Sequence, residues 1–272
     1  MRSPSCRQSY GLFLGVAMCV GFTILCGATW AHAAEPKTPP QIVMILTNID
    51  RIPGTDRETG FWAEEFVVPH ELFRKAGFDV MVASIKGGMP PVDRASLDAA
   101  AVGDAAAARF KDYLERNRAA LQSVPLQTVA PQDVAAVFVV GGHGVMFDLS
   151  SSQPMHVLAR RTLRSGRVLA AVCHGPGALA NAKDEHGEYL LHSRNVTGFS
   201  AREEELVGMS TLVPYCLEET LKKATGGKYE KAPEPWQSHV VVDGNLVTGQ
   251  NPASSEATAK AVIRMVEFMR LW

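Results

Sequence analysis

Arg167-Val168-Leu169-Ala170-Ala171-Val172-Cys173-His174-Gly175 is the stretch that decides how this chain folds. Residues 168–172 form a short, continuous apolar run, the pattern of a strand buried on both faces of a parallel sheet. The run ends at Cys173 and His174, and Gly175, Pro176 and Gly177 follow before small apolar residues begin a helical pattern at Ala178-Leu179-Ala180. A strand that breaks into a helix at one nucleophilic side chain has the form of a nucleophile elbow, here written Ala-x-Cys-x-Gly. The reading places Cys173 at the N-terminus of the following helix, where free N–H groups and the dipole favour thiolate over thiol.

Outward from this point the chain alternates strands and helices. Upstream, residues 135–140 read as another buried strand, and Gly141-Gly142-His143-Gly144 follows it directly. Glycines placed there let the backbone approach a ligand, with amides free for an anion or oxyanion. Two strands ending in such turns can present both to one carboxyl edge of the sheet. The spacing fits neither a P-loop nor a dinucleotide fingerprint. Residues 154–165 read as the helix between these strands.

Residues 41–47 and 78–85 read as the first two strands, with a helical period over 60–77 between them. At 100° per residue, Phe61, Trp62, Phe66, Pro69, Leu72 and Phe73 gather on one side. Glu65 points into that arc and Glu64 away from it, so Glu65 is the carboxyl expected to be buried with a raised pKa. Residues 89–133 interrupt the alternation with a helical stretch at 105–121, which reads either as an insertion that caps or borders a site or as a passive surface elaboration. Downstream, 189–191 with 195–197 could form a small hairpin. Residues 213–224 read as a helix with Cys216 on its apolar stripe, and 239–242 with 246–248 as a hairpin around Asp243-Gly244-Asn245. A last helix runs to the C-terminus.

The N-terminal segment reads separately. Arg2 and Arg7 precede an uncharged apolar run over 11–27, and Ala31-His32-Ala33 offers a cleavage site near Ala33. We expect residues 1–34 to be a cleaved export signal, 35–40 a linker, and 41–272 a single domain in a periplasmic or secreted protein. Met18 and Leu25, bulky residues before Cys19 and Cys26, argue against a lipoprotein signal. Cleavage leaves two cysteines, Cys173 and Cys216, for which an oxidising compartment makes a disulfide worth weighing. It also leaves 25 of the 27 basic residues against 28 acidic ones, a net charge of −3. No nucleic-acid surface is implied. His143, His186 and His192 lack zinc spacing and read as loop or capping histidines, so no metal is expected.

Five motifs in this order resemble the ThiJ/PfpI superfamily, related to class I glutamine amidotransferases, and within it the glutathione-independent glyoxalase III and stress-chaperone branch. They are Gly60-Phe61-Trp62-Ala63-Glu64-Glu65, Gly141-Gly142-His143-Gly144, Ala171-Val172-Cys173-His174-Gly175-Pro176, Thr197-Gly198-Phe199 and Gly249-Gln250-Asn251-Pro252-Ala253. The resemblance implies an α/β, flavodoxin-like three-layer sandwich with a mostly parallel sheet, an inserted cap segment and a small hairpin. It implies Cys173 as nucleophile with His174 beside it, Glu65 as the buried acid, and an acidic third member in Glu203-Glu204-Glu205. Spacing from Thr197-Gly198-Phe199 selects Glu204, with Glu205 as the alternative. The amides of Gly142 and His174 would serve as oxyanion donors, and Gly142, His143 and Gly144 would border the substrate. The implied activity is a cofactor-independent glyoxalase or deglycase, turning 2-oxoaldehydes such as methylglyoxal into 2-hydroxy acids. The same scaffold also carries chaperones, redox sensors, amidases and peptidases. The expected partner is a small carbonyl compound, with no nucleic acid, no membrane once the signal is removed, and a homodimer left open.

Overall fold

The computed structural model describes residues 39–271. Strand β1 (Gln41–Leu46) leads to helix α1 (Ala63–Lys75) and strand β2 (Asp79–Ser84). The excursion that follows holds α2 (Ala99–Val102), α3 (Asp104–Arg116) and the two-residue β3 (Val124–Pro125). The middle of the chain runs through β4 (Ala136–Val139), α4 (Gln153–Arg164), β5 (Val168–Val172) and the four-residue α5 (Gly177–Ala180). It closes with α6 (Ala201–Leu206), α7 (Leu217–Thr225), β6 (Val240–Asp243), β7 (Leu246–Gly249) and α8 (Ser255–Met269). The expected export signal and residues 35–38 of the expected linker lie outside the described residues. No helix among the described residues is long and apolar enough to cross a membrane.

The seven strands form one sheet in the order β3-β2-β1-β4-β5-β7-β6, parallel throughout except for the β6–β7 hairpin. This is the expected flavodoxin-like arrangement. Helices α1 and α8 pack together on one face, while α4 and α5 pack together and lead on to α7. All five residues of β5 are fully buried, as are Val43 to Leu46 of β1 and all of β4, because each strand is covered from both sides. Burying a leucine or valine there contributes about 1.5–3 kcal/mol, so the continuous apolar runs that announce these strands also hold them in place. The chain leaves β1 toward β2 and returns on the other side at β4. That reversal opens a crevice at the carboxyl edge, where the Gly141-Gly142 turn and Cys173 both lie.

The insertion is anchored on α1. The Ala63 amide in the first turn of α1 donates to Ser96 Oγ at 2.9 Å, and His70 Nδ1 meets the Tyr113 hydroxyl of α3 at 2.7 Å. Burial, reinforced by the charge of Arg74, pushes the His70 pKa down to about 4 from 6.5. A histidine held neutral in the fold binds fewer protons than in the unfolded chain. Its stabilising contribution is therefore complete above about pH 6.5 and lost as pH falls toward 4. We expect about 2–3 kcal/mol of stability to disappear across that window, read from urea midpoints. His70→Gln should flatten that part of the profile; an unchanged profile would place the acid sensitivity elsewhere.

Two expectations fail here. Residues 189–191 and 195–197 do not pair; Tyr189 bridges Lys183, and Val196 instead bridges Tyr229. The helix expected over 213–224 starts at Leu217, and Cys216 is its N-cap with extended backbone (ψ 116°). The turn before the helix swings Cys216 off the apolar stripe, so it is exposed rather than part of the core. Cys173 is buried and both thiols are free, so the pairing weighed above does not form.

Candidate active site

Cys173 holds a φ of +60°, a left-handed conformation that costs a non-glycine residue free energy. Its amide donates to Gly249 O and its carbonyl accepts from the Phe199 amide, both at 2.9 Å, so the strained residue is clamped between β7 and the loop before α6. The elbow is therefore built as expected. The helix-dipole argument does not hold, because α5 starts only at Gly177 and spans four residues. Burial, with Glu65 and Glu203 adding to it, raises the Cys173 thiol well above its usual range, and the His174 amide at the sulfur only partly opposes this, so the thiolate expected from the sequence is not favoured at rest.

The neighbouring side chains form a relay. Cys173 Sγ lies 3.3 Å from His174 Nδ1, and His174 Nε2 lies 2.9 Å from Glu204 Oε2. Glu205, the alternative third member, is exposed and paired with Arg202. Glu204 also takes His143 Nε2 on its other oxygen, at 2.8 Å, and the two imidazole rings sit 4.1 Å apart. Burial acts to raise Glu204, but the His174 charge and hydrogen bonds from both histidines outweigh it and hold the carboxyl well below the usual carboxylate range. His143 is pushed down by burial and by His174, with Glu204 opposing. His143 is thus more than a loop histidine, whereas His186 and His192 stand apart from this cluster. His143, His174 and Glu204 could also hold a metal ion, since their ligand atoms lie within 4.8 Å of one another; coordination would replace the two hydrogen bonds on Glu204.

On the other side of the thiol is Glu65. It is fully buried, and neither oxygen has a partner of good hydrogen-bond geometry among the described residues. Burial drives its pKa well up; the nearby Cys173 thiol and Gly141 amide oppose this, and the charges of Glu64 and Asp93 add to it. The helical-face reading of Glu65 holds. Glu64, expected to be solvated, is instead half-buried in the cavity wall, and burial raises it too.

Gly141 makes the close approach of Glu65 and Cys173 feasible. A Cβ there would clash with Glu65 Oε2 and fall 2.5 Å from Val172 O and 2.9 Å from Cys173 Cβ. Gly144 abuts Thr47 below the turn and stands one residue removed from the cavity, so only Gly142 and His143 of the expected trio line it. The Gly142 amide meets no acceptor among the described residues and the His174 amide only the Cys173 sulfur, which leaves both at hand for an oxyanion. The cavity measures about 590 Å³, and Cys173 and His174 line it together with Ala101, Val102 and Ala106 of the insertion. The insertion therefore borders the site.

Three features lay beyond sequence reasoning. Phe199 lies over His174 with ring centroids 4.5 Å apart, Trp236 packs at an angle against Phe199 at 5.7 Å, and buried Glu203 gathers the surrounding loops. Glu203 accepts from the Trp236 amide and Asn251 Nδ2 on one oxygen and from Ser200 and Gln250 on the other. The motif 249–253 carried a hint of this, since Gln250 and Asn251 lie in it.

An α/β sheet with a strained cysteine elbow, a histidine and carboxylate relay and a buried acid defines a class of cysteine-dependent, flavodoxin-like proteins. The chain belongs to the DJ-1/PfpI family, whose model matches residues 58–265. Among its relatives is the glutathione-independent glyoxalase hsp3101 of Schizosaccharomyces pombe, 30% identical over 78% of this chain and 89% of that protein. Glyoxalase 3 of Candida albicans is 29% identical over 84% of this chain and 98% of its own. The crystal structure of Candida albicans glyoxalase III superposes with a TM-score of 0.74 at 28% identity, covering 83% and 97% of the two chains. Rapid Encystment Protein 24 kDa of Francisella tularensis gives 0.76 at 32%, covering 84% and 99%.

Proposed function

We propose that this protein is a glutathione-independent glyoxalase that converts 2-oxoaldehydes such as methylglyoxal into 2-hydroxy acids. The observation that carries the reading is Glu65, a fully buried carboxyl with no strong hydrogen-bond partner, set against the elbow thiol. A hydrolytic cysteine site needs a base and oxyanion donors. Moving a proton between adjacent carbons needs in addition an acid–base group on the substrate itself, and Glu65 supplies one.

Burial keeps Glu65 as the carboxylic acid and Cys173 as the thiol at rest, and Cys173 passes its proton to His174 Nδ1, 3.3 Å away, as it attacks. The sulfur adds to the aldehyde carbon, and the new oxyanion, received by the Gly142 and His174 amides, takes the proton of Glu65 to give a hemithioacetal. Glu65, now ionised, removes the hydrogen from that carbon. The electron pair forms an enediol as His174, held by Glu204, protonates the ketone oxygen. Glu65 returns its proton to the second carbon while His174 recovers one from the first hydroxyl, leaving a thioester of the 2-hydroxy acid. Water then cleaves the C–S bond and restores the thiol. One water is consumed, and no electrons leave or enter.

The protein should form lactate from methylglyoxal without glutathione, measured by chromatography. Consumption of methylglyoxal with no lactate would mean simple scavenging by the thiol and would sink the proposal. Glu204→Gln, which keeps the shape but not the charge opposite two histidines, should reduce kcat by about 10²–10⁴-fold; a loss under threefold would remove the relay from the mechanism. We also propose that the mature chain is exported, on the strength of Arg2, Arg7, the apolar run at 11–27 and Ala31-His32-Ala33. Its N-terminus after secretion should then fall at residue 34 or close to it.

A further inference from the structure

The cavity is much larger than methylglyoxal requires. Three carbons and two oxygens need on the order of 100 Å³, scaled from about 30 Å³ for one water, against the cavity's 590 Å³. Cys173, His174, His143 and the Gly142 amide gather around the reacting position, and Glu64 and Trp62, whose Nε1 has no partner among the described residues, also line the cavity. Beyond them an aromatic series climbs outward from His174, fully buried, through Phe199 to Trp236, 44% exposed at the rim. Val102 of the insertion and Val207 face the same space.

Trp236 is held there by construction. It has a φ of +66°, a strained value for an aromatic residue, and its amide is fixed 2.9 Å from Glu203 Oε1. Glu203 is itself buried and saturated by Ser200, Gln250 and Asn251. Such strain persists only where surrounding bonds impose it, and here they impose an aromatic wall on the cavity. No lysine or arginine lines this cavity among the described residues, and its one acid outside the relay is Glu64. A carboxylate or phosphate carried on the far end of the substrate would find no cationic side chain along Phe199 and Trp236 to pair with.

We propose that the site is built for 2-oxoaldehydes whose ketone carbon bears a large, uncharged apolar group, aryl or branched alkyl, in place of methyl. The dicarbonyl head sits at Cys173 and the apolar group lies along Phe199 and Trp236. This inference rests on the glyoxalase reading and specifies its substrate class.

The test compares initial rates of 2-hydroxy acid formation from phenylglyoxal, para-carboxyphenylglyoxal and methylglyoxal, without glutathione. Phenylglyoxal should exceed methylglyoxal in kcat/KM by at least about 30-fold, the order expected from burying one ring. The para-carboxylate should lose about tenfold or more of that gain, as a buried unpaired charge would. Trp236→Ala should cut the phenylglyoxal-to-methylglyoxal ratio about tenfold, and Trp236→Phe should restore most of it. A general loss of folding would lower both rates and leave the ratio in place. A ratio near one in the native protein, or one that Trp236→Ala leaves intact, overturns the proposal while the glyoxalase reading stands. If none of the three aldehydes is converted, that reading fails and this proposal fails with it.

Discussion

Glu65→Gln is expected to abolish turnover while making the protein more stable and Cys173 more reactive. The amide keeps the shape of the buried acid but cannot pass a proton between carbons, so kcat should fall by about 10²–10⁴-fold or more. Burial raises the carboxyl well above its ordinary value of 4.5. The folded state thus binds more protons than the unfolded chain above that pH, and stability declines as pH rises from 4.5 toward the folded pKa. Removing the titration removes that cost. The variant should melt higher than wild type at pH 7, with the gain shrinking as pH approaches 4.5. Glu65 also acts with burial to raise the Cys173 thiol. Without the acid, iodoacetamide should modify Cys173 faster at neutral pH. A slower reaction would mean that Glu65 activates the thiol rather than restraining it. Glu64→Gln, altering a half-buried wall residue, should change kcat far less.

Gly142→Ala is expected to be the most damaging single methyl group near the site. Gly142 has a φ of +108°, and a Cβ would clash with Gly60 O and lie 2.9 Å from Phe61 Cα and Trp62 N. Strain of about 1–3 kcal/mol adds to a backbone collision that no rotamer relieves. Gly60 leads directly into α1, so any relief displaces Glu65 from the thiol. We expect destabilisation of about 3 kcal/mol or more in urea, and loss of turnover even in the folded fraction. Gly54→Ala is the control, since Gly54 has a φ of +79° but nothing within 4 Å of the added carbon. It should cost only the strain. Equal losses at the two positions would show that conformation alone, and not the packing of the turn against Gly60, sets the price.

The sheet was legible because strands buried on both faces leave continuous apolar runs, and β4 and β5 are such runs ending in turns that carry chemistry. Glu65 was legible for a different reason: a helix repeats at 100° per residue, so one carboxyl can be placed inside an apolar arc and its neighbour outside. The same geometry misled at Cys216, where a helix start misplaced by four residues turned an N-cap into a core position. It also undervalued Glu64, because the insertion that walls the cavity contributes its contacts from far along the chain. The hairpin expected at 189–197 failed because strand-like residues do not name their partner; Val196 bridges Tyr229 instead. Glu204 came from family spacing, and nothing local pointed to His143 on its second oxygen or to Trp236 on Phe199. Those contacts join residues 61 and 37 positions apart, and only the closed sheet brings them together.

The most direct test of the account is lactate formation from methylglyoxal by Cys173→Ala beside wild type, without glutathione, with both proteins shown to be folded by their melting transitions. Removing one buried sulfur atom leaves Glu65, His174 and Glu204 in place, yet no hemithioacetal or thioester can form. The account predicts lactate from wild type and none above the buffer blank from Cys173→Ala; lactate from the variant at a rate near that of wild type would contradict it.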